Sequence, residues 1–89
     1  MFINPRLHRS MGSMPEALVL IVVDPKIERK VIDEIRNIPG VTEAHYIFGP
    51  YDMYVKLDCE TRERVHYLVM DKIRPIYGIR TTVTCFIAE

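Results

Sequence analysis

A seven-residue pattern occurs twice in the chain, and it constrains the fold more than any other feature of the sequence. Residues 35–41 and 73–79 both read I-R-x-I-x-G followed by a β-branched residue. Each copy predicts a helix end that turns through glycine into a strand. Upstream of each copy, Asp24 or Asp58 ends a strand-like run. The segment between this aspartate and the Ile-Arg pair of the motif is four residues longer in the second half of the chain than in the first. Since that is about one helical turn, the apolar faces of the two helices stay in phase.

The first half of the chain predicts a strand followed by a helix. Residues 17–23 form a continuous, largely β-branched apolar run, which is typical of a buried strand. Asp24 as N-cap and Pro25 at the first helical position predict that a helix begins directly afterwards. The apolar stripe of that helix is Ile27, Val31, Ile32, Ile35 and Ile38.

The second half predicts two strands, a helix and a last strand. Residues 41–48 and 51–58 are strand-like and are separated by Gly49 and Pro50. Thr61 is a suitable N-cap for the second helix, and residues 79–87 form the last strand. The order βαββαβ predicts an α+β fold, a ferredoxin-like sandwich whose four-stranded antiparallel sheet carries both helices on one face. The apolar stripe of the second helix is Val65, Leu68, Val69 and Ile73.

The N-terminal segment lacks these periodicities. Residues 1–15 contain Asn4-Pro5, Gly12 and Pro15, which predicts a disordered or loosely ordered arm before a domain that spans residues 16–89. The arm is too short for a helix-turn-helix domain. The longest apolar run, residues 17–23, is too short to cross a bilayer, and no signal peptide precedes it. We therefore expect a cytoplasmic protein with no membrane partner.

Charge and motif content argue against nucleic-acid binding and catalysis. Twelve Lys and Arg residues balance twelve Asp and Glu residues, whereas proteins that grip phosphate backbones carry a basic excess. Cys59 and Cys85 lack the spacing of a metal site, and His45 and His66 lack an identifiable catalytic partner. No glycine-rich phosphate loop is present in the sequence. We expect no catalytic residues, no metal and no cofactor.

The predicted sheet has an apolar face that the helices do not cover. Both faces of the first strand are apolar. One face carries Leu18, Leu20 and Val22, and the residues that alternate with them on the other face are also aliphatic. An exposed apolar sheet face is typical of an interaction surface. The sequence therefore predicts a homodimer in which the two sheets pack against each other.

The turn between the second and third strands is the candidate binding site. Asp52 at the start of a strand can accept hydrogen bonds from an α-ammonium group. Free backbone N–H groups around Gly49 can hold a carboxylate. The hairpin thus has the groups that a free amino acid requires. The alternative is that Gly49, Pro50 and Asp52 only form the turn, since all three are common turn residues.

Four segments resemble the effector-binding (RAM) domain of the leucine-responsive regulatory protein/asparagine-synthesis regulator (Lrp/AsnC) family. They are ALVLIVVD at 17–24, IPGVTEA at 38–44, GPYDMYVK at 49–56, and IR followed by GIRTTVT between 73 and 84. The resemblance implies a domain that dimerises through its sheets and assembles into octamers or similar rings. It also implies small effectors, usually amino acids, bound between dimers. Carried over to this chain, the effector-binding residues are Gly49, Tyr51, Asp52, Thr82 and Thr84.

Full members of that family carry a DNA-reading helix-turn-helix, for which this sequence has no room. The chain resembles a stand-alone module that senses an effector and modulates transcription by associating with full-length Lrp/AsnC-type regulators, without direct nucleic-acid contact. The sequence leaves two alternatives open. One is an ACT-like amino-acid sensor that pairs edge to edge and partners an enzyme. The other is a small dimeric α+β-barrel enzyme with a pocket lined by His45 or His66.

Overall fold

The computed structural model describes residues 15–88 and confirms the predicted βαββαβ order. The predicted arm, residues 1–15, lies outside the described residues except for Pro15, whose carbonyl accepts a hydrogen bond from the Cys59 N–H. The elements are β1 (Glu16–Val23), α1 (Glu28–Arg36), β2 (Val41–Tyr46), β3 (Met53–Asp58), α2 (Arg62–Tyr67), which continues as a π-helical segment (Leu68–Ile73), and β4 (Ile79–Phe86).

The four strands form one antiparallel sheet in the order β2-β3-β1-β4. Its register determines which side chains share a face. Val19 lies between Val55 of β3 and Thr84 of β4, and Ile21 lies between Met53 and Thr82. Because side chains alternate along each strand, the odd-numbered residues of β1 and β3 face the helices. The even-numbered residues of these strands face the uncovered side.

The hydrophobic core lies between the sheet and the two helices. On the sheet it consists of Ala17, Val19, Ile21, Val23, Ala44, Met53, Val55 and Leu57. On the helices it consists of Val31, Ile32, Ile35, Val65, Leu68, Val69 and Ile73. Every residue of the second predicted stripe is buried. In the first stripe three residues are buried, while Ile27 and Ile38 pack against the core from its margin. Helical periodicity therefore identified the core-facing side of both helices.

The predicted start of the first helix at Asp24 is wrong. The helix α1 begins at Glu28, and no side chain caps its N-terminus. Asp24 instead closes a turn, in which its Oδ1 accepts a hydrogen bond from the Lys26 N–H at 3.0 Å and its carbonyl accepts one from the Ile27 N–H at 3.1 Å. Asp followed by Pro favours such a turn as readily as a helix N-cap, since both use the same carboxylate-to-backbone bond.

The strands on either side of the hairpin are shorter than predicted. The strand β2 ends at Tyr46 instead of residue 48, and β3 begins at Met53 instead of residue 51. Residues 47–52 form the connection, which is closed where the Ile47 N–H donates to the Asp52 carbonyl at 3.0 Å. The strand β4 ends at Phe86, one residue before the predicted end. The connection of the hairpin is therefore longer than the two-residue break at Gly49 and Pro50.

Thr61 caps α2 as predicted, because its hydroxyl accepts a hydrogen bond from the Arg64 N–H at 3.0 Å. We expect Thr61→Ala to lower the free energy of unfolding by about 1 kcal/mol, since one N–H in the first turn loses its partner. Urea denaturation measures this loss. Thr61→Ser keeps the hydroxyl and serves as the control, with near wild-type stability. Equal losses in both variants would contradict the capping role.

Candidate functional site

The predicted site residues gather at one end of the sheet. Because β1 runs antiparallel to both of its neighbours, its last residues lie beside the beginning of β3 and the beginning of β4. The connection between β2 and β3 is at the same end, as is the turn that carries Gly78 into β4. Three separate parts of the chain therefore meet around Val23 and Asp24.

Asp52 is held in place by three hydrogen bonds. Its carboxylate Oδ2 accepts from the Val23 N–H at 2.9 Å, its own N–H donates to the Ile21 carbonyl at 2.8 Å, and its carbonyl accepts from Ile47. The bond to Val23 engages one of the two carboxylate oxygens, and the side chain is half-buried. Asp52 thus closes the end of the β1–β3 ladder and still carries a carboxylate oxygen beyond the one that Val23 uses.

Gly49 and Tyr51 lie on the same connection as Asp52. Gly49 has a φ of +133°, a conformation that disfavours side chains, and a Cβ built there would meet no atom within 4 Å. Its backbone is therefore open to an approaching ligand. Tyr51 is half-buried one residue before Asp52.

Thr82 and Thr84 lie apart from the hairpin within one protomer. Thr82 is opposite Ile21 and Thr84 is opposite Val19, so both belong to the face of the sheet that carries the helices. With β1 between them and β3, Thr82 is about 10 Å from Met53. The structure brings Gly49, Tyr51 and Asp52 together, places Thr82 at the same end of the sheet, and places Thr84 farther along β4.

Asp24 and Arg80 also lie at this end of the sheet, although the sequence did not assign either residue to the site. Asp24 donates its backbone N–H to the Gly78 carbonyl at 2.8 Å, and its carboxylate lies 3.9 Å from the Arg80 guanidinium. The register of β1 and β4 shifts between Val22 and Val23, which places Arg80 in a β-bulge. The repeated I-R-x-I-x-G motif was the sequence signal that could have pointed to these residues, because it places Gly78 directly before β4. With Asp52, these residues give the end of the sheet both signs of charge.

Within residues 15–88, the two histidines do not line an interior pocket of the kind that the alternative of a small barrel enzyme requires. His45 and His66 are exposed, and His45 Nε2 lies 3.3 Å from Glu43 Oε1 on the uncovered side of the sheet. Burial raises the pKa of the Cys59 thiol, against the opposing effect of Arg64, so this thiol is a weak nucleophile at neutral pH. Within residues 15–88, no three His, Cys, Asp or Glu side chains are grouped as metal ligands. Helices in the same range are all too short or too polar to cross a bilayer.

A shallow groove of about 240 Å³ follows the edge strand β2. Arg36, at the end of α1, donates to the Ala44 carbonyl from Nε at 3.2 Å and from Nη2 at 2.7 Å. This guanidinium therefore uses the hydrogen-bonding capacity of an outward-facing carbonyl on the edge strand. Pairing of a second chain along β2 would have to break both bonds. The groove is lined by Arg36, Val41, Thr42, Glu43, Ala44 and His45.

Comparison with known proteins identifies the family. Residues 16–89 match the family described as the Lrp/AsnC ligand binding domain. An uncharacterized HTH-type transcriptional regulator of Pyrococcus abyssi is 41% identical over 71 residues, which cover 76% of this chain and 47% of that protein. The chain thus spans about half the length of the curated relatives it matches.

Two solved structures share the fold. The crystal structure of FFRP-DM1 superposes with a TM-score of 0.80 at 31% identity and covers 84% of this chain and 100% of its own. A transcriptional regulator from Neisseria meningitidis, solved in complex with L-Met, has a TM-score of 0.80 at 13% identity and covers 100% of this chain and 57% of its own. The family of these relatives is regulatory. The chain belongs to the Lrp/AsnC family, and residues 16–89 are its ligand binding domain.

Proposed function

We propose that this chain is a regulatory module that binds a free amino acid at the end of the sheet where Asp52 lies. It forms homodimers through the uncovered face of the sheet, and the dimers assemble into octamers or similar rings. It acts in the cytoplasm, where it modulates transcription by associating with full-length Lrp/AsnC-type regulators. It does so without catalysing a reaction and without reading DNA itself. The regulatory relatives and the L-Met complex of the Neisseria protein support this proposal.

The observation that carries the proposal is the position of Asp52. The hydrogen bonds from Val23 and to Ile21 fix its orientation before any ligand arrives, so little ordering is lost on binding. Its carboxylate attracts an α-ammonium group, and a charge-assisted hydrogen bond of this kind is about twice as strong as a neutral one. Gly49 leaves the neighbouring backbone accessible to the α-carboxylate of the same ligand.

A neighbouring dimer would complete the pocket. Thr82 and Thr84 are separated from the hairpin by β1 within one protomer, so their hydroxyls are better placed to reach a ligand held by another chain. A ligand that touches two dimers stabilises the assembly that contains the complete pocket. The free energy by which the ligand shifts the equilibrium between separate and assembled dimers equals the difference between its binding free energies for these two states. Binding and assembly are therefore linked in our proposal.

The uncovered face of the sheet supports the proposed homodimer. Leu18, Leu20 and Val22 of β1 lie beside Val83 and Cys85 of β4 on this face. They form a continuous apolar strip along two neighbouring strands, which is typical of a surface that a partner covers. Arg36 already occupies a carbonyl of the edge strand β2, which disfavours the edge-to-edge pairing of an ACT-like sensor along this strand.

Thermal unfolding against a panel of free amino acids tests the proposal. At about 100-fold above its dissociation constant, a ligand adds roughly 2.7 kcal/mol of stability per site. For a domain of this size, we expect an increase in the melting temperature on the order of 10 °C for one or a few amino acids. The experiment also names the effector.

Asp52→Asn is the informative variant for that panel. The asparagine amide oxygen can still accept the Val23 N–H, so the fold is retained while the charge that holds the ammonium group is removed. We expect the ligand-induced increase to disappear in this variant. Asp33→Asn, which removes an exposed carboxylate from α1, is the matched control and should respond like the wild type. A panel without any stabilising amino acid, or an unchanged response in Asp52→Asn, would contradict the proposed site.

A further inference from the structure

The uncovered face of the sheet has a polar half beside its apolar strip. The register places His45 of β2 opposite Tyr54 of β3, and Tyr54 opposite Leu20 of β1. Leu20 in turn lies opposite Val83 of β4. These four side chains form one row across the sheet, because residues opposite each other on neighbouring strands point to the same face. The apolar strip on β1 and β4 therefore continues directly into the side chains of β2 and β3.

Three contacts join the polar half of this face. Glu43 Oε1 accepts a hydrogen bond from the Tyr54 hydroxyl at 3.3 Å and lies 3.3 Å from His45 Nε2. The rings of His45 and Tyr54 stack with their centres 5.8 Å apart and an interplanar angle of 19°. We call Glu43, His45 and Tyr54 the histidine cluster. Its contacts keep an imidazole next to a carboxylate on the face that the homodimer would use.

A homodimer of ordinary size would cover the histidine cluster. A stable interface buries about 800 Å² on each partner, which corresponds to a circular patch with a radius of roughly 16 Å. His45 lies two strand spacings from Leu20, or about 10 Å. A partner sheet centred on Leu20 would therefore remove water from His45 and Glu43, whose side chains are 56% and 44% exposed in the single chain.

The charges of this face are mostly negative. Besides the histidine cluster, its titratable side chains on the strands are Glu16 of β1, Lys56 and Asp58 of β3, and Cys85 of β4. The ammonium group of Lys56 lies 3.3 Å from the Glu16 carboxylate. With a neutral His45, the three carboxylates of Glu16, Glu43 and Asp58 stand against the one ammonium group of Lys56, which leaves an excess of two negative charges.

The end of the sheet does not offset this excess. Asp52, which precedes β3, accepts a hydrogen bond from the Val23 N–H through its carboxylate. Arg80, the charged residue of β4, lies at the β-bulge with its guanidinium 3.9 Å from the Asp24 carboxylate. These groups together add one further negative charge. Two copies that pack through this face therefore bring like charges together, and His45 is the group of the face that can gain a positive charge near neutral pH.

We propose that formation of the homodimer is coupled to protonation of His45. The inference rests on the homodimer proposed above. A proton on each imidazole halves the negative excess of each face and so reduces the repulsion between the two copies. It also gives the Glu43 carboxylate a cationic partner at 3.3 Å when water leaves the cluster. Burial alone favours a neutral imidazole, but it would then leave a buried carboxylate without a counter-charge, which costs more.

The direction of the pH dependence follows from this proton uptake. The dimer binds more protons than two separate chains, so a lower pH favours the dimer. The dimer is tightest on the acidic side of neutrality and dissociates more readily as the pH rises through the range in which imidazoles titrate, about pH 6 to 8.

Sedimentation equilibrium at pH 6 and pH 8, over a range of protein concentrations, tests the coupling. We expect the dissociation constant of the wild-type dimer to be at least about tenfold larger at pH 8, because two imidazoles lose their protons. In His45→Gln, the amide can still donate to Glu43 but does not titrate in this range. We expect its dissociation constant to be the same at both pH values. A wild-type dimer with a constant affinity, or an undiminished pH effect in His45→Gln, would overturn the proposal.

His66→Gln is the matched control. His66 is an exposed histidine of α2, on the side of the sheet that carries the helices. We expect this variant to keep the full pH dependence, and an equal loss in His66→Gln and His45→Gln would overturn the proposal. Circular dichroism at both pH values verifies that each variant is folded. A wild type that is monomeric at both pH values would contradict the homodimer itself, whereas a dimer whose affinity does not depend on pH contradicts only the coupling to His45.

Discussion

Replacing Leu20 with glutamate is expected to convert the proposed homodimer into a monomer. Leu20 lies at the middle of β1 between Tyr54 and Val83, near the centre of the uncovered face. Two sheets that pack through this face would bury one new carboxylate from each protomer without a partner. The effective penalty is several kcal/mol per buried ion, which corresponds to an increase of about a thousandfold or more in the dimer dissociation constant.

Light scattering coupled to size-exclusion chromatography, over a range of protein concentrations, measures this change directly. Met70→Glu is the matched control, because it places the same charge on an exposed apolar residue on the opposite side of the sheet. We expect this control to remain dimeric. A Leu20→Glu protein that is folded by circular dichroism and still dimeric would contradict the proposed interface, as would a wild type that is monomeric throughout.

Gly78→Ala is expected to cause the largest loss of stability among single-residue changes at the turns. Gly78 has a φ of +103°, which costs an alanine about 1–2 kcal/mol. An added Cβ would also collide with the Ile27 side chain and lie 3.4 Å from Val31 Cγ2. Overpacking of this kind costs about 1–3 kcal/mol. Together these effects predict a loss of about 3 kcal/mol in the free energy of unfolding.

Gly49→Ala isolates the backbone contribution to that loss. Gly49 also has a positive φ, +133°, but its Cβ would enter open space. We expect this variant to lose only about 1 kcal/mol. Urea denaturation of both variants, with unchanged slopes, gives the two values. Equal losses at the two positions would contradict the close packing of Gly78 against Ile27.

The repeated motif predicted the fold because its two glycine positions require a positive φ and leave no room for a side chain, which few residues other than glycine can satisfy. Gly40 and Gly78 end equivalent helix–strand turns with φ values of +104° and +103°. Both glycines also approach side chains of the core, Leu68 and Ile27 respectively. The pattern therefore carried information about both backbone conformation and packing. Helical spacing then identified the buried residues without knowledge of the sheet register.

Short sequence patterns gave wrong predictions where the same residues are typical of two different local conformations. Asp24-Pro25 is typical of a helix N-cap and of a turn, and the structure has the turn. The extra residues of the second half indicated one more α-helical turn, but the helix continues instead as a π-helical segment after Tyr67. Its apolar stripe stays buried in either geometry, so periodicity alone could not distinguish them.

The candidate site was partly visible in the sequence. Gly49, Tyr51 and Asp52 are neighbours in the chain, so a turn motif was sufficient to group them. The hydrogen bond from Val23 to Asp52 joins residues 29 positions apart, and the ion pair of Asp24 with Arg80 depends on a β-bulge. Contacts of this kind follow from strand order and register, which the sequence pattern does not specify.

Native mass spectrometry with and without the stabilising amino acid tests the central claim, that ligand binding and assembly are linked. It counts bound ligands on each oligomer of the wild type and of Asp52→Asn. We predict that the amino acid is found on assemblies larger than the dimer, that it increases their abundance, and that Asp52→Asn binds none. Equal occupancy of monomers, dimers and larger assemblies, or undiminished binding by Asp52→Asn, would contradict the account.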